Sequence, residues 1–144
     1  ETANTLRTMK DGKTWLFTGD IARMDEDGYF YIVDRKKELI KPGGFQVWPR
    51  EVEEVICAHP AVFEVAVIGV PDDKWGEAVK AIVVLKPDMK ATPEEIIAYT
   101  RTRIAGYKLP KSVDFVEALP RNPTGKILKK ELRVWYREKE VKKQ

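Results

Sequence analysis

Two runs of β-branched residues, Val62 to Val70 and Ala78 to Leu85, constrain this chain more than anything else in it. Their valine and isoleucine content suits central strands of a sheet covered by helices. Pro71-Asp72-Asp73 breaks the first run, and Lys86-Pro87-Asp88 closes the second. On either side the apolar spacing becomes helical. Pro49 fits the first turn of a helix with Val52, Val55, Ile56 and Cys57 on one side and Glu51, Glu53 and Glu54 on the other. Thr92-Pro93-Glu94-Glu95 has the form of a capping box. It opens a helix through Ile96, Ile97, Thr100 and Ile104, with Gly106 as its stop. Val113 to Val116 reads as a third strand. After the polar loop RNPTGK, a last helix is expected with Leu128, Leu132, Trp135 and Tyr136 on one face. The charged tail from Arg137 onward is expected to fray.

Ahead of these elements, residues 1–13 are polar and end in the turn signal Asp11-Gly12. Trp15-Leu16-Phe17 is a short apolar run, followed by Thr18-Gly19-Asp20. Ile21 to Met24 and Tyr29 to Val33 form a hairpin pattern joined by Asp25-Glu26-Asp27-Gly28. That acidic turn lacks the ligand spacing and distal glutamate of a calcium loop, so a hairpin turn is the reading. A charged joint follows, DRKKELIKPGGFQVWP from Asp34 to Pro49, with a small second hairpin expected from Glu38–Lys41 and Phe45–Val47 around Pro42-Gly43-Gly44. The element order past the joint is then β-hairpin, α, β, β, α, β, α. The predicted fold class is α/β (α+β), a small domain with a central three-stranded sheet flanked by helices plus a hairpin. The strands before the joint are too few to stand alone and are expected to belong to a body outside this chain.

The length, 144 residues, is that of one ordinary domain with enough apolar residues for a core. A net charge of only +3, with acids interleaved among bases, gives no reason to expect nucleic acid. No apolar run reaches membrane-spanning length and no signal peptide is visible, which leaves room only for peripheral membrane contact. The single cysteine, Cys57, excludes an internal disulfide and fits a reducing, cytoplasmic compartment. It is expected as a buried, inert thiol. His59 is expected at a helix C-terminus, where positive charge is favourable, with no catalytic role. The chain opens on Glu1 with ETANTLRT, which reads as mid-chain sequence, so a piece of a longer protein is expected.

Four features can carry chemistry. Asp20 can accept two hydrogen bonds from a diol, or serve as a turn cap. Arg35 can face an anion, or pair with Asp34 or Glu38. In the joint, Arg35, Lys36, Lys37 and Lys41 repel one another unless solvated, paired or facing an anion, while Gly43 and Gly44 leave backbone without Cβ for something narrow to pass. Lys126, after Pro-Thr-Gly, sits at the tip of a loop expected to be flexible. Its ammonium can hold a phosphate or carboxylate, or be an exposed lysine leading a basic helix.

Five segments in order resemble the carboxyl-terminal part of the adenylate-forming superfamily: acyl-CoA synthetases, firefly luciferase and nonribosomal-peptide adenylation domains. They are TGD at Thr18–Asp20, the joint DRKKELIKPGGFQVWPREVEE, VAVIGVPDDKWGE, YKLPK and PRNPTGKILKKELR, spanning Trp15 to Tyr136. The resemblance implies roles that composition does not. Asp20 would grip the ATP ribose hydroxyls with Arg35 beside it, and Lys37 would be the hinge. Lys126 would bridge the carboxylate substrate and the nucleotide. On the opposite face Lys41, Gly43 and Gly44 would serve the second step, the glycines lining the pantetheine channel. Trp75 and Tyr107–Lys111 would lie near the CoA nucleotide. Residues 1–36 would end a large N-terminal domain, and 37–144 would form the mobile C-terminal domain. The implied cofactors are ATP, CoA and Mg2+, with magnesium ligands in the missing N-terminal domain, the enzyme's own partner. The implied activity is an AMP-forming acid–thiol ligase acting on a carboxylic acid, with a fatty acid preferred because Leu39-Ile40 and the paired glycines look like acyl-CoA synthetases. The fragment alone is expected to be inactive. The alternatives are an adenylation module of a peptide synthetase or luciferase-like enzyme, and a non-enzymatic small basic binding module that takes single-stranded RNA.

Overall fold

The computed structural model describes residues 5–141 and divides the chain into two compact units, Glu1–Glu38 and Leu39–Gln144. In the first unit, β1 (Leu6–Thr8) pairs antiparallel with β2 (Thr14–Leu16), and β3 (Asp20–Met24) with β4 (Phe30–Arg35). Strand β1 carries no alternation and was not expected from its three residues, LRT. The acidic turn of the second hairpin is closed by Asp25, whose Oδ1 accepts the Asp27 and Tyr29 amides at 3.1 and 2.9 Å. Among the described residues of this unit none is buried, and Trp15, Leu16, Phe30 and Ile32 are more than half exposed. Two hairpins without a core need further surface to be stable in water.

The second unit is built on the β-branched runs. Strand β5 (Val62–Asp72) pairs antiparallel with β6 (Gly76–Leu85), and β7 (Ser112–Phe115) joins β6 in parallel, giving the order β5-β6-β7. A parallel pair needs a crossover, and here it carries helix α2 (Pro93–Arg101). Both faces of the sheet are covered, so both long strands are apolar almost throughout. Side chains alternate between two layers. Val65, Val67, Val79, Ala81, Val83 and Val113 pack with Val52 and Ile56 of α1 (Pro49–Cys57), Ile96 of α2, and Ile40 and Val47. Ala66, Ile68, Val70, Ala78, Ile82 and Val84 pack with Leu119 and with Leu132 and Tyr136 of α3 (Lys129–Val141).

Burial on both faces makes β5 read like a central strand, yet it lies at the sheet edge. Its outer edge is managed locally. Pro71 sits in it, and the Val67 amide donates to Glu53 Oε1 on α1 at 2.7 Å. The capping box of α2 is complete: Glu95 N–H donates to Thr92 Oγ1 at 3.2 Å, and Thr92 N–H to Glu95 Oε2 at 2.7 Å.

Several expectations need correction. The second hairpin is a single bridge, Ile40 to Val47, around a 3-10 turn Pro42–Gly44. Helix α2 ends at Arg101, well before Gly106, because Thr102 caps it and Gly106 opens a separate 3-10 turn. Cys57 is exposed, since α1 buries Val52 and Ile56 and the next residue turns away from that face. His59 lies just past the end of α1, where its Nδ1 accepts the Ala61 amide at 3.2 Å and its ring meets Tyr99 edge-on. Trp135 is 45% exposed, while Leu132 and Tyr136, four residues apart, make the buried stripe. The helix continues past Arg137 to Val141, and the rest of the expected frayed tail, 142–144, lies outside the described residues. Leu132→Ala is expected to cost about 2–5 kcal/mol in urea denaturation through the cavity it leaves, and Trp135→Ala under about 1 kcal/mol.

Candidate functional site

In the first unit, Thr18, Gly19 and Asp20 form the entrance to β3. Thr18 Oγ1 accepts the Asp20 amide at 3.2 Å, and Gly19 takes a positive φ of 79° while its carbonyl accepts Lys36 N–H at 2.8 Å. Asp20 and Arg35 are direct partners in the β3–β4 ladder, and a register shift between Ile21 and Ala22 sets the pairing. Their side chains meet, with Arg35 Nε 3.0 Å from Asp20 Oδ1. Asp34 Oδ1 accepts the Arg35 amide at 2.7 Å. Thr18, Gly19, Arg35, Lys36 and Lys37 line a cleft of about 330 Å³. Its charged lining is cationic, and the same arginine holds the Asp20 carboxylate, a combination that suits a ligand carrying both negative charge and hydroxyl groups. Lys37 lies in the 3-10 turn Lys36–Glu38, where the first unit ends.

In the second unit, the structure brings together the Lys41–Gly44 turn, Trp75 and the Tyr107–Lys111 stretch. Ile40 and Val47 exchange both backbone hydrogen bonds, at 3.0 and 2.9 Å, and so pinch the base of the turn. Lys41 keeps its side chain exposed while its amide donates to Glu77 Oε2 at 2.7 Å. Gly43, at φ 56°, donates its amide to the Trp75 carbonyl at 2.9 Å. A Cβ there would stand 2.5 Å from Trp75 Cε3, whereas Gly44, at φ 87°, faces open space. Of the two glycines, Gly44 has open space beside it in this conformation. At Gly43 the indole fills the space.

Trp75 is itself held from below. Asp72 Oδ1 accepts the Lys74 and Trp75 amides at 3.1 and 2.8 Å, and its Oδ2 pairs with Lys111 Nζ at 2.9 Å. The Lys111 hydrogen bond first, then the Trp75 amide, hold the Asp72 carboxyl below the usual aspartate range. Phe45 stacks on Tyr107 with ring centres 4.8 Å apart. Trp75, Phe45, Tyr107, Arg101 and Lys111 contribute to an apolar groove of about 470 Å³ with basic groups at its margin. Such a groove suits a flat aromatic group bearing negative charge.

The third feature is the Lys126 turn, which is held by several side-chain and backbone hydrogen bonds. Asn122 Oδ1 accepts the Thr124 amide and hydroxyl at 3.1 and 2.8 Å and the Lys126 amide at 2.8 Å. Asn122 N–H donates to the Lys126 carbonyl at 2.9 Å, and Arg121 Nη1 donates to the Gly125 carbonyl at 2.6 Å. Lys126 is exposed on this fastened turn. Its neighbour Ile127 packs against the α3 layer of the sheet, while Ile40, beside Lys41, is buried in the α1–α2 layer. The two lysines therefore stand on loops anchored to opposite faces of one sheet.

Sequence reasoning missed Asp72, Glu77, Arg121, Asn122 and Glu64. Asp72 and Asn122 were findable, because an Asx residue two positions before a turn amide is a local signal. Glu77 and Glu64 act on residues far away in the chain and leave no local mark. Among the described residues no group of three or more His, Cys, Asp or Glu side chains is arranged to hold a metal ion, and no helix is long and apolar enough to cross a membrane.

Two outcomes test this geometry. Gly43→Ala should destabilise the second unit by about 1–3 kcal/mol, from strain at positive φ, and displace Trp75, read as a change in its indole NMR resonance. Lys111→Ala should raise the Asp72 carboxyl toward the ordinary range in a carbon-13 titration. Because the folded value is depressed, the pair stabilises the fold above the unfolded aspartate value and loses that effect as pH falls through the folded one. The variant should accordingly lose less stability on acidification than the parent chain.

Residues 51–126 match the AMP-binding enzyme C-terminal domain family. A long-chain-fatty-acid–CoA ligase of Bacillus subtilis is 53% identical over 128 residues, covering 89% of this chain and 22% of the relative. Among solved structures, a Mycobacterium tuberculosis fatty acyl CoA synthetase has 53% identity and a TM-score of 0.73, with 90% of this chain and 25% of that one covered. ATP-bound MatB from Rhodopseudomonas palustris has 41% identity and a TM-score of 0.84, over 94% of this chain and 26% of that one. This chain thus spans about a quarter of the length of these relatives. The chain belongs to the AMP-binding enzyme C-terminal domain family, the carboxyl-terminal part of adenylate-forming enzymes.

Proposed function

We propose that this chain is part of an AMP-forming acyl-CoA synthetase, in which it serves two successive half-reactions by presenting opposite faces to a larger catalytic body. The observation that carries this reading is the placement of the Lys126 and Lys41 turns on loops anchored to the two faces of one sheet. Residues 1–36 are assigned to the end of that body and 37–144 to the mobile domain. The division of the chain into compact units at Glu38 and Leu39 supports the assignment.

In the first half-reaction a carboxylate attacks the α-phosphorus of ATP, giving an acyl-adenylate and pyrophosphate. Asp20, oriented by Arg35, accepts hydrogen bonds from the ribose hydroxyls. Lys126 reaches both the carboxylate and the phosphate, holding them in line and offsetting the charge that builds between them. In the second, the CoA thiol attacks the mixed anhydride and AMP leaves. The domain turns about Lys37, and the opposite face takes over, with Lys41 nearby and Gly44 beside the pantetheine arm. The groove of Trp75, Phe45 and Tyr107, edged by Arg101 and Lys111, receives the CoA nucleotide. Magnesium would accompany ATP, held by residues of the body outside this chain. A fatty acid is the preferred substrate, supported by the names of the ligase relatives, and the cytoplasm the preferred setting, where ATP and CoA are at hand.

In the full-length protein, Lys126→Ala should slow adenylate formation about 10²–10³-fold, the loss typical of one preorganised cationic or hydrogen-bonding contact. Thioester formation from supplied acyl-adenylate and CoA should survive. An active enzyme unimpaired in both half-reactions would reduce Lys126 to a surface lysine, and acyl-CoA formation by this chain alone would sink the requirement for a larger body.

A further inference from the structure

The turn that presents Lys126 is fastened by carboxylates from elsewhere in the fold. Arg121 bonds in two directions: Nη2 pairs with Glu64 Oε2 on β5, and Nη1 donates to the Gly125 carbonyl at 2.6 Å. Glu64 is only 18% exposed, whereas the arginine side chain is 44% exposed. The carboxylate is therefore the fixed end of the pair. Beyond the turn, Lys129 Nζ sits 2.6 Å from Glu53 Oε1, and the same oxygen accepts the Val67 amide of β5. Both ends of the segment that carries Lys126 are thus tied to carboxylates packed along the same edge strand.

Building on the role given to Lys126 above, we infer that Glu64 is a positioning residue for the adenylation step, acting through Arg121 on the Gly125–Lys126 peptide. Without Glu64 the exposed guanidinium has no carboxylate to orient it, and its bond to the Gly125 carbonyl competes with water. The Asn122 bonds, the packing of Ile127 and the Lys129–Glu53 pair still form the turn, but its Gly125 end is held to the sheet less tightly. Lys126 works by position alone, holding two reactants in line, so spread in the ammonium's location translates directly into rate. Glu64 touches neither reactant. The thioester-forming step, for which Lys126 has left the site, should not sense it.

The test uses full-length protein carrying Glu64→Ala, Glu64→Gln, Lys126→Ala, and Glu64→Ala with Lys126→Ala. Glu64→Ala should lower kcat for adenylate formation about tenfold to a hundredfold, the scale of a misplaced catalytic contact, with little change in KM for ATP. Thioester formation from supplied acyl-adenylate should be unchanged. Glu64→Gln keeps an acceptor oxygen for Arg121 and should recover most of the loss. The double variant should be no slower than Lys126→Ala, and amide exchange at Lys126 should rise in Glu64→Ala. Adenylation spared by Glu64→Ala but abolished by Lys126→Ala would overturn the positioning role and leave the role of Lys126 standing. Equal loss in both half-reactions would make Glu64 a general stabiliser and overturn the inference. If Lys126→Ala itself spares adenylation, the proposed role of Lys126 falls and the inference falls with it.

Discussion

The second unit depends on burying both faces of a three-stranded sheet. With α1 and α2 on one side and α3 on the other, most apolar residues of β5 and β6 find apolar neighbours, and the alternation of side chains divides them into two layers. Every functional feature of this unit hangs from that arrangement. The Lys41 turn is rooted in one layer through Ile40 and Val47, and the Lys126 turn leans on the other through Ile127. A sheet this thin gives two working surfaces with a rigid, dry partition between them.

The first unit is organised differently. Among the described residues its hairpins bury no side chain, and what they contribute is a pairing of charges across a ladder. Asp20 and Arg35 meet because a register shift after Ile21 brings them opposite one another. A bulge is a cheap way to re-aim a side chain, and here it places a carboxylate beside a guanidinium that itself lines a cationic cleft.

What the sequence made legible was local. The long strands, the proline at the start of α1 and the capping box of α2 are written in neighbouring residues, and they formed where expected. Features set by distant partners were not legible. Pro-Thr-Gly marks the turn of Lys126 locally, but the ion pair of Arg121 beside it reaches Glu64, 57 residues earlier in the chain. Trp135 is half-exposed, since among the described side chains of α3 the buried ones are Leu132 and Tyr136. Cys57 was expected inside, but one step along a helix is about 100° of rotation, and the covered arc of α1 ends at Ile56. The site residues themselves were named from motif resemblance, while their supports, Asp72 and Glu77 among them, came only from geometry.

The contact between Gly43 and Trp75 makes the glycine pair asymmetric. Gly43 acts as a socket, shaped without a side chain so that an aromatic ring can be seated against the backbone, and its amide latches the carbonyl of that same tryptophan. Gly44 is the opening. Whatever runs along this turn is offered a wall on one side and a passage on the other, so the pair sets a direction of approach as well as a width. Trp75 is at once the plug of the socket and a side of the groove, so the turn that carries Lys41 and the groove share one wall.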